Sequence, residues 1–263
     1  MAKHYKATAA GITDVGLQRD HNEDSYLLLP EQDLFVVADG MGGHRAGDVA
    51  SRLATESMAD FFRATAPGTD ATWPFHFDAE LTEEENRLLT AIRIANHQIL
   101  EQSLKSQDCH GMGTTVVGTL FSRRQERLYI GHVGDSRAYR VRGGAISQLT
   151  SDHSLVNEYL MTMPELTDEQ RSELPKNVIT RALGMQESVA IDLQSVQVEA
   201  GDVFVLCSDG LSGMLEDSEI AELVGDGQDL DASCRRLVMQ ANEHGGEDNI
   251  TAVLVRIDVD PAF

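Results

Sequence analysis

Apolar and polar positions along the chain fall into two kinds of run. Short runs that are apolar at most positions cover Leu34–Ala38, Thr115–Phe121, Arg127–Val133, Arg137–Val141, Val203–Cys207 and Ile250–Ile257. Their length and their β-branched and aromatic content predict strands. Arg142-Gly143-Gly144, at the end of one such run, predicts a hairpin turn. Longer stretches repeat their apolar residues every three or four positions, over about Ala46–Thr65 and Glu83–Ser106, and predict helices. In the second, Leu88, Ile92, Ala95, Ile99 and Leu104 are expected to share a face. Shorter helices are expected over Ser218–Leu223 and Leu230–Glu243. Strands dominate the centre, and helices fall between groups of strands rather than after each one. That order predicts an α+β fold with helices packed on largely antiparallel sheets, not a doubly wound parallel sheet.

Two stretches break the pattern. Pro67–Asp78, rich in Pro, Thr and aromatic residues, reads as a surface loop. Met161–Pro175, with two prolines and several acids, reads as a flap or inserted segment.

Composition adds little until charge is considered. An apolar fraction of 41% suits an ordinary globular chain, and 263 residues can bury a sizeable core. However, 43 acidic residues against 21 Lys and Arg leave a net charge of −22. Such a surface repels a phosphate backbone and anionic lipid, which excludes nucleic-acid and membrane binding. Cys109, Cys207 and Cys234 stand far apart with no CxxC pair, as expected of reduced thiols. The opening MAKHYKATAAG lacks a signal-peptide run, and no stretch is long enough to span a bilayer. A soluble, cytoplasmic protein is expected.

The candidate chemistry lies in a repeated local arrangement, an apolar strand running into an aspartate beside Gly or a small polar residue. It occurs in Val36-Val37-Ala38-Asp39-Gly40, Val133-Gly134-Asp135-Ser136 and Leu206-Cys207-Ser208-Asp209-Gly210. A fourth acid, Asp248, precedes the last predicted strand. One such aspartate is commonly a turn residue. Four on the strands of one core pose an electrostatic problem. Two carboxylates about 4 Å apart repel by roughly 1 kcal/mol in water and several times that near a protein interior. No Lys or Arg lies within two positions of Asp39, Asp209 or Asp248, and only Asp135 has one, Arg137. If the acids converge, divalent cations are the natural counter-charge, and all-oxygen ligation selects Mg²⁺ or Mn²⁺ over zinc. Paired hard cations of this kind suit phosphate-ester hydrolysis. A second constellation, Arg19-Asp20-His21-Asn22-Glu23-Asp24, offers an arginine that could grip a phosphate and acids that could orient metal-bound water. No P-loop, GxGxxG or GxSxG motif is present.

Eight blocks spanning Gly16 to Thr251 read, in order, GLQRDHNED, VVADGMGGH, GMGTTVV, GHVGDSRAYR, LTSDHS, ITRALG, LCSDGL and GGEDNIT. In this order and spacing they resemble the metal-dependent protein phosphatase family, also called the protein phosphatase 2C family, in its compact bacterial form. The resemblance implies a four-layer α-β-β-α sandwich, two central antiparallel sheets flanked by helices, forming a single catalytic domain over residues 1–263. A flap over about residues 154–178 would overlie the metal cleft and influence substrate choice. It implies a serine/threonine phosphatase in which a water bridging two Mn²⁺ or Mg²⁺ ions attacks phosphorus directly. By matching blocks, Asp39, Asp209 and Asp248 would hold the first metal. Asp39 and the Gly40 carbonyl would hold the second, with Glu23 and Asp24 acting through waters. Asp135 with Asp209 resembles a third, weaker site, and Arg19 would bind the substrate phosphate. Asn249 and Thr114 would support the site, while Ser136, Arg137, Thr180 and Arg181 read as structural. Expected partners are phosphorylated proteins and a bacterial serine/threonine kinase whose work the enzyme opposes, and the family's usual state is a monomer.

One departure matters. Animal members carry a histidine two places after the bridging aspartate, proposed as the acid for the leaving oxygen, and here that position is Met41. His44 and His153 are the alternative candidates for that proton. Two other function classes compete with the leading one. A catalytically silent member could bind phosphoprotein or a regulator, but Arg19 and every expected ligand are present. A small-phosphoester hydrolase would show no advantage for phosphopeptides over an aryl phosphate.

Overall fold

Strands β3 (Leu34–Met41), β5 (Val116–Ser122), β10 (Val203–Cys207) and β11 (Ile250–Val259) are apolar along most of their length because both of their faces are covered. In β3, Phe35 and Val37 point one way and Leu34, Val36 and Ala38 the other, and all five are fully buried. The structure, a computed structural model, describes residues 4–42, 46–66, 74–75, 77–163, 174 and 178–260.

The described strands form two sheets. The first has the order β1-β11-β10-β7-β8, adding β1 (Tyr5–Asp14), β7 (Arg137–Arg142) and β8 (Ala145–Gln148). The second has the order β2-β3-β5-β6-β9, adding β2 (Asp24–Leu29), β6 (Arg127–Val133) and β9 (Asp192–Gln197), while the two-residue β4 (Gly113–Thr114) pairs with β3. Every pairing is antiparallel. The predicted turn joins β7 to β8. Arg142 pairs with Ala145, and Gly143 and Gly144 take φ of 57° and 82° as a two-residue turn of this hand requires.

Three apolar clusters define four layers. Phe35, Val37, Ile130, Phe204 and Val253 fill the space between the sheets. Val36, Ala38 and Val116 pack instead against helices α1 (Ala46–Ala64) and α2 (Glu83–Lys105), chiefly at Met58, Phe62, Leu88 and Ile92. On the other outer face, Val205 and Leu254 pack against α5 (Asp217–Val224) and α6 (Leu230–Glu243) through Ile220 and Leu237. The α-β-β-α sandwich is therefore as expected. Helix α2 starts at a capping box: Glu85 N–H donates to the Thr82 hydroxyl at 3.2 Å and Thr82 N–H to the Glu85 carboxylate at 2.8 Å.

One expectation needs correction. Leu104 is 74% exposed, because five residues beyond Ile99 it has rotated off the apolar face, and Ser103 is buried instead. Part of the predicted flap is regular: Leu155–Thr162 forms α3, capped by the Ser154 hydroxyl. Residues 164–173 and 175–177 of that segment, and 67–73 and 76 of the predicted surface loop, lie outside the described residues.

Candidate active site

Both sheets send acids to one edge of the sandwich. Asp39 is near the end of β3 and faces Asp24 of β2 across the antiparallel ladder. Asp209 follows β10 and opens the one-turn helix α4 (Asp209–Ser212), Asp248 lies just before β11, and Asp135 sits between β6 and β7. Asp39, Asp135, Asp209, Asp248 and Glu23 line one cleft of about 430 Å³, together with Arg19, His21, Gly40, Met41 and Thr115. The sequence-predicted acids are thus brought together, with Asp24 buried beneath them rather than on the cleft wall.

The backbone around Asp39 is held tightly. Its N–H donates to the Thr115 hydroxyl at 3.0 Å, and its carbonyl accepts from Thr115 N–H and from the Thr114 hydroxyl, each at 2.8 Å. Thr115 was absent from the sequence-derived candidates although it stands in the GMGTTVV block, and its hydroxyl also bonds that of Ser136 at 2.7 Å. Gly40 is required by close approach, since a Cβ there would collide with the carbonyl oxygens of Gly47 and Glu23.

Electrostatics mark the cluster as short of positive charge. Burial raises the Asp39 pKa well above the ordinary carboxylate range, and the charges of Asp24, Asp209, Asp135 and Asp248 add to it. Asp209 is raised by burial and by Asp248, while a hydrogen bond with the Asp39 carboxyl opposes the rise. Burial pushes Asp135 up to about 7, with Asp209 adding to it. Asp24 also rises to about 7 by burial, against hydrogen bonds from the hydroxyls of Thr251 at 2.6 Å and Ser208 at 2.7 Å. Both hydroxyls use Asp24 Oδ2, and the buried Oδ1 has no partner among the described residues. Glu23 is raised by burial, with Arg19 opposing.

Among the described residues that line the cleft, the one arginine comes from far along the chain. Arg19 Nη2 donates to Asp248 Oδ2 at 2.6 Å across a sequence separation of 229 residues. Burial works against the Arg19 charge, but the Asp248 hydrogen bond and the charges of Asp248, Glu23 and Asp209 raise its pKa overall. By contrast, Arg137, the one cation adjacent in sequence to a cluster acid, is spent on Asp152, with Nε at 3.0 Å and Nη2 at 2.7 Å. Asn249 staples the Arg19 loop in place. Its Oδ1 accepts Glu23 N–H at 2.8 Å, and its Nδ2 donates to the carbonyls of Val15 and His21 at 2.9 Å each.

Of the two histidine candidates for the leaving-group proton, one is described. His44 lies outside the described residues. His153 is buried away from the cleft lining, its Nδ1 accepting Gly134 N–H at 3.0 Å and its Nε2 lying 3.3 Å from Asp192. His132, His153 and Asp192 form a second cluster, but the two rings stack at 17° and Arg181 already bonds Asp192 at 2.9 Å. Three of the four ring nitrogens are already engaged, His132 Nε2 with the Ser151 carbonyl at 3.0 Å, His153 Nδ1 with Gly134 N–H and His153 Nε2 with Arg181 at 3.1 Å. This cluster is structural.

The cleft's donor set, dominated by the carboxylates of Glu23, Asp39, Asp135, Asp209 and Asp248, fits hard divalent cations. The orphaned Asp24 Oδ1 and the raised Asp39 and Asp209 fit them too, because each is a group whose burial lacks a counter-charge.

Comparison with known proteins agrees. Residues 18–255 match the profile of the family described as Protein phosphatase 2C. The serine/threonine phosphatase stp of Listeria monocytogenes is 39% identical over 253 residues, covering 94% of each chain. The crystal structure of the Mycobacterium tuberculosis serine/threonine phosphatase PstP/Ppp superimposes with a TM-score of 0.81 at 34% identity, covering 96% of this chain and 99% of that one. The catalytic domain of PstP in complex with two manganese ions gives the same TM-score at 33% identity, over 97% and 99% of the two chains. With its sandwich and its acid-lined cleft, the chain belongs to the protein phosphatase 2C family. Within that family it is a metal-dependent serine/threonine phosphatase acting on phosphoproteins.

Proposed function

We propose that the acid-lined cleft hydrolyses phosphoserine and phosphothreonine with two cations, Mn²⁺ or Mg²⁺, held by Asp39, Asp209, Asp248 and the Gly40 carbonyl. Asp135 with Asp209 forms a third position, and Glu23 and Asp24 act around the second through water. The observation that carries this reading is the convergence of Asp39, Asp135, Asp209 and Asp248 on one cleft, with Asp39 and Asp209 both raised above the ordinary carboxylate range by burial and by neighbouring acids. When bound, the cations supply the missing counter-charge and activate water for in-line attack on phosphorus. The manganese complex of the PstP catalytic domain supports the choice of metal.

The protein's own groups do the rest. Arg19, half exposed at the cleft mouth, grips the phosphate oxygens by leaving Asp248 once that carboxylate is otherwise neutralised. Thr114 and Thr115 hold the Asp39 backbone rigid, so its carboxylate needs no reorganisation during the reaction. Met41 lines the cleft but donates no proton, so the leaving oxygen takes its proton from a group other than this side chain.

The chain acts as one catalytic domain with a flap over about 154–178, as a monomer in the cytoplasm, opposing a bacterial serine/threonine kinase. The three described cysteines are free and buried, in keeping with a reducing compartment, and no described helix is long and apolar enough to cross a membrane. Phosphate release from a phosphothreonine peptide, assayed with Mn²⁺, with Mg²⁺ and with excess chelator, tests the reading. Turnover should require metal and vanish in Asp209→Ala. Metal binding without phosphate release from the wild type would defeat it.

A further inference from the structure

A second hollow of about 490 Å³ adjoins the metal cleft and shares two of its lining residues, Met41 and Ile179. Where the cleft is walled by acids, the hollow has none in its wall: Met41, Ile179, Met185 and Val189 line it beside the neutral Thr180, Gln186 and Ser188, with Arg181 at its side. Arg181 is already paired with Asp192 at 2.9 Å, so it presents little net charge. On a chain with a net charge of −22, a depression with several apolar side chains and no acid in its wall, beside the catalytic centre, is a marked change of chemistry.

The hollow is built, not incidental. β4 pairs Gly40 with Thr114 and Met41 with Gly113 on one side, and on the other Thr114 exchanges backbone hydrogen bonds with Leu183 at 3.2 and 2.8 Å. Met41 and Met185 therefore converge over Gly113. A Cβ built there would lie 2.9 Å from Met41 Cε and 3.2 Å from Met185 Sδ. The loop carrying Met185 is pinned from beneath by Asn96 of α2, which is 2% exposed. Its Oδ1 accepts Gly184 N–H at 2.9 Å, and its Nδ2 donates to the carbonyls of Gln186 at 2.9 Å and Glu187 at 3.2 Å. A buried amide satisfied by three loop groups fixes the loop backbone, yet Met185 itself remains 51% exposed. A held backbone with a free thioether is a surface that adapts to an apolar guest.

We infer that this hollow is a substrate subsite for an apolar side chain flanking the phosphorylated residue of a protein substrate, with Met185 and Met41 as the residues that set the preference. The inference rests on the phosphatase reading above and on the continuity of the hollow with the cleft that receives the phosphate. The occupant is a leucine- or methionine-sized side chain. A carboxylate would lose its solvation there and also face the cleft acids.

The test is a set of phosphothreonine peptides varied at each of the three positions on either side of the phosphoresidue, with Leu, Lys or Glu substituted in turn. p-Nitrophenyl phosphate, too small to span both sites, is assayed in parallel with saturating Mn²⁺. At one flanking position the wild type should favour Leu over Glu and over Lys by about tenfold in kcat/KM, the scale expected of one buried aliphatic side chain. Met185→Glu should reduce that preference to near unity and Met185→Ala should weaken it, each leaving aryl phosphate turnover unchanged. Equal kcat/KM for the three residues at every position, or a preference unaltered in Met185→Glu, would overturn the inference. Loss of p-nitrophenyl phosphate turnover by the wild type would instead point to failure of the underlying phosphatase reading.

Discussion

His153 clamps Gly134 twice: its ring Nδ1 accepts the Gly134 N–H at 3.0 Å, and its own backbone N–H donates to the Gly134 carbonyl at 3.0 Å. Gly134 takes a φ of 108° and is followed by Asp135, so the clamp fixes the direction in which that acid enters the cleft. His153→Ala leaves a buried N–H without an acceptor, which should cost about 1–3 kcal/mol before any cavity is counted. Denaturant titration checks the stability. A Mn²⁺ titration of activity should require several-fold more metal, and His153→Asn, which keeps an acceptor near that N–H, should recover part of both losses.

Asn249 ties three backbone groups of the segment around Arg19 to the strand that follows Asp248. Asn249→Ala removes all three hydrogen bonds at a site only 5% exposed, a loss of about 2–4 kcal/mol. Because the segment carries Arg19, KM for a phosphopeptide should rise more than kcat falls. A variant whose KM is unchanged would show that the staple serves stability alone.

Arg19 and Asp248 form a close pair, but the arginine side chain is 54% exposed, so the pair contributes under about 1 kcal/mol. Arg19→Ala should therefore barely change the thermal midpoint. It should lower kcat/KM for a phosphopeptide by about ten- to a hundredfold and weaken inhibition by inorganic phosphate. Arg19→Lys should restore the charge without the two-pronged grip and fall between the two.

In the metal-free protein Asp24 and Asp135 titrate near 7 and Asp39 and Asp209 are also raised, against an ordinary value of 3.8. The folded chain thus binds more protons than the unfolded chain between about pH 4 and 7, so stability falls as pH rises through that window. The midpoint of chelated protein should be lower at pH 8 than at pH 5.5, by about 5 °C for a change of about 2 kcal/mol in a chain of this size. Saturating Mn²⁺ should remove or reverse the trend, since it binds the ionised form. Asp209→Asn should stabilise the chelated protein at pH 8 while abolishing turnover, and a destabilised Asp209→Asn would contradict this account of the cluster.

The parts of the fold legible in the sequence are those with continuous chemical texture. β10 and α6 match their expected bounds, Val203–Cys207 and Leu230–Glu243, because one is apolar throughout and the other keeps a helical repeat. β9 escaped notice because it has only Leu193 on one face and Val196 on the other, too few for a stripe. The acids of the site were legible as strand-end aspartates. Their charge partners were not, because adjacency in sequence does not report pairing: Arg137, read as structural, serves Asp152, while Asp248 is met by Arg19 from the opposite end of the chain. Thr115 was hidden for another reason. Its task is to hold a backbone, and nothing in its residue type announces that.

The two-residue strand β4 touches Gly40 and Met41 on one flank and Leu183 on the other, and its Thr114 reaches the Asp39 carbonyl. Chemistry and recognition are thus mounted on the same short rail. Any backbone displacement that reshaped the hollow would be felt at Asp39, so sequence drift in substrate preference is confined to side chains that leave the rail still, above all those at positions 41 and 185. Paralogues with new targets would be expected to differ there by substitution, and to tolerate no insertion or deletion across residues 113–115 or 182–184.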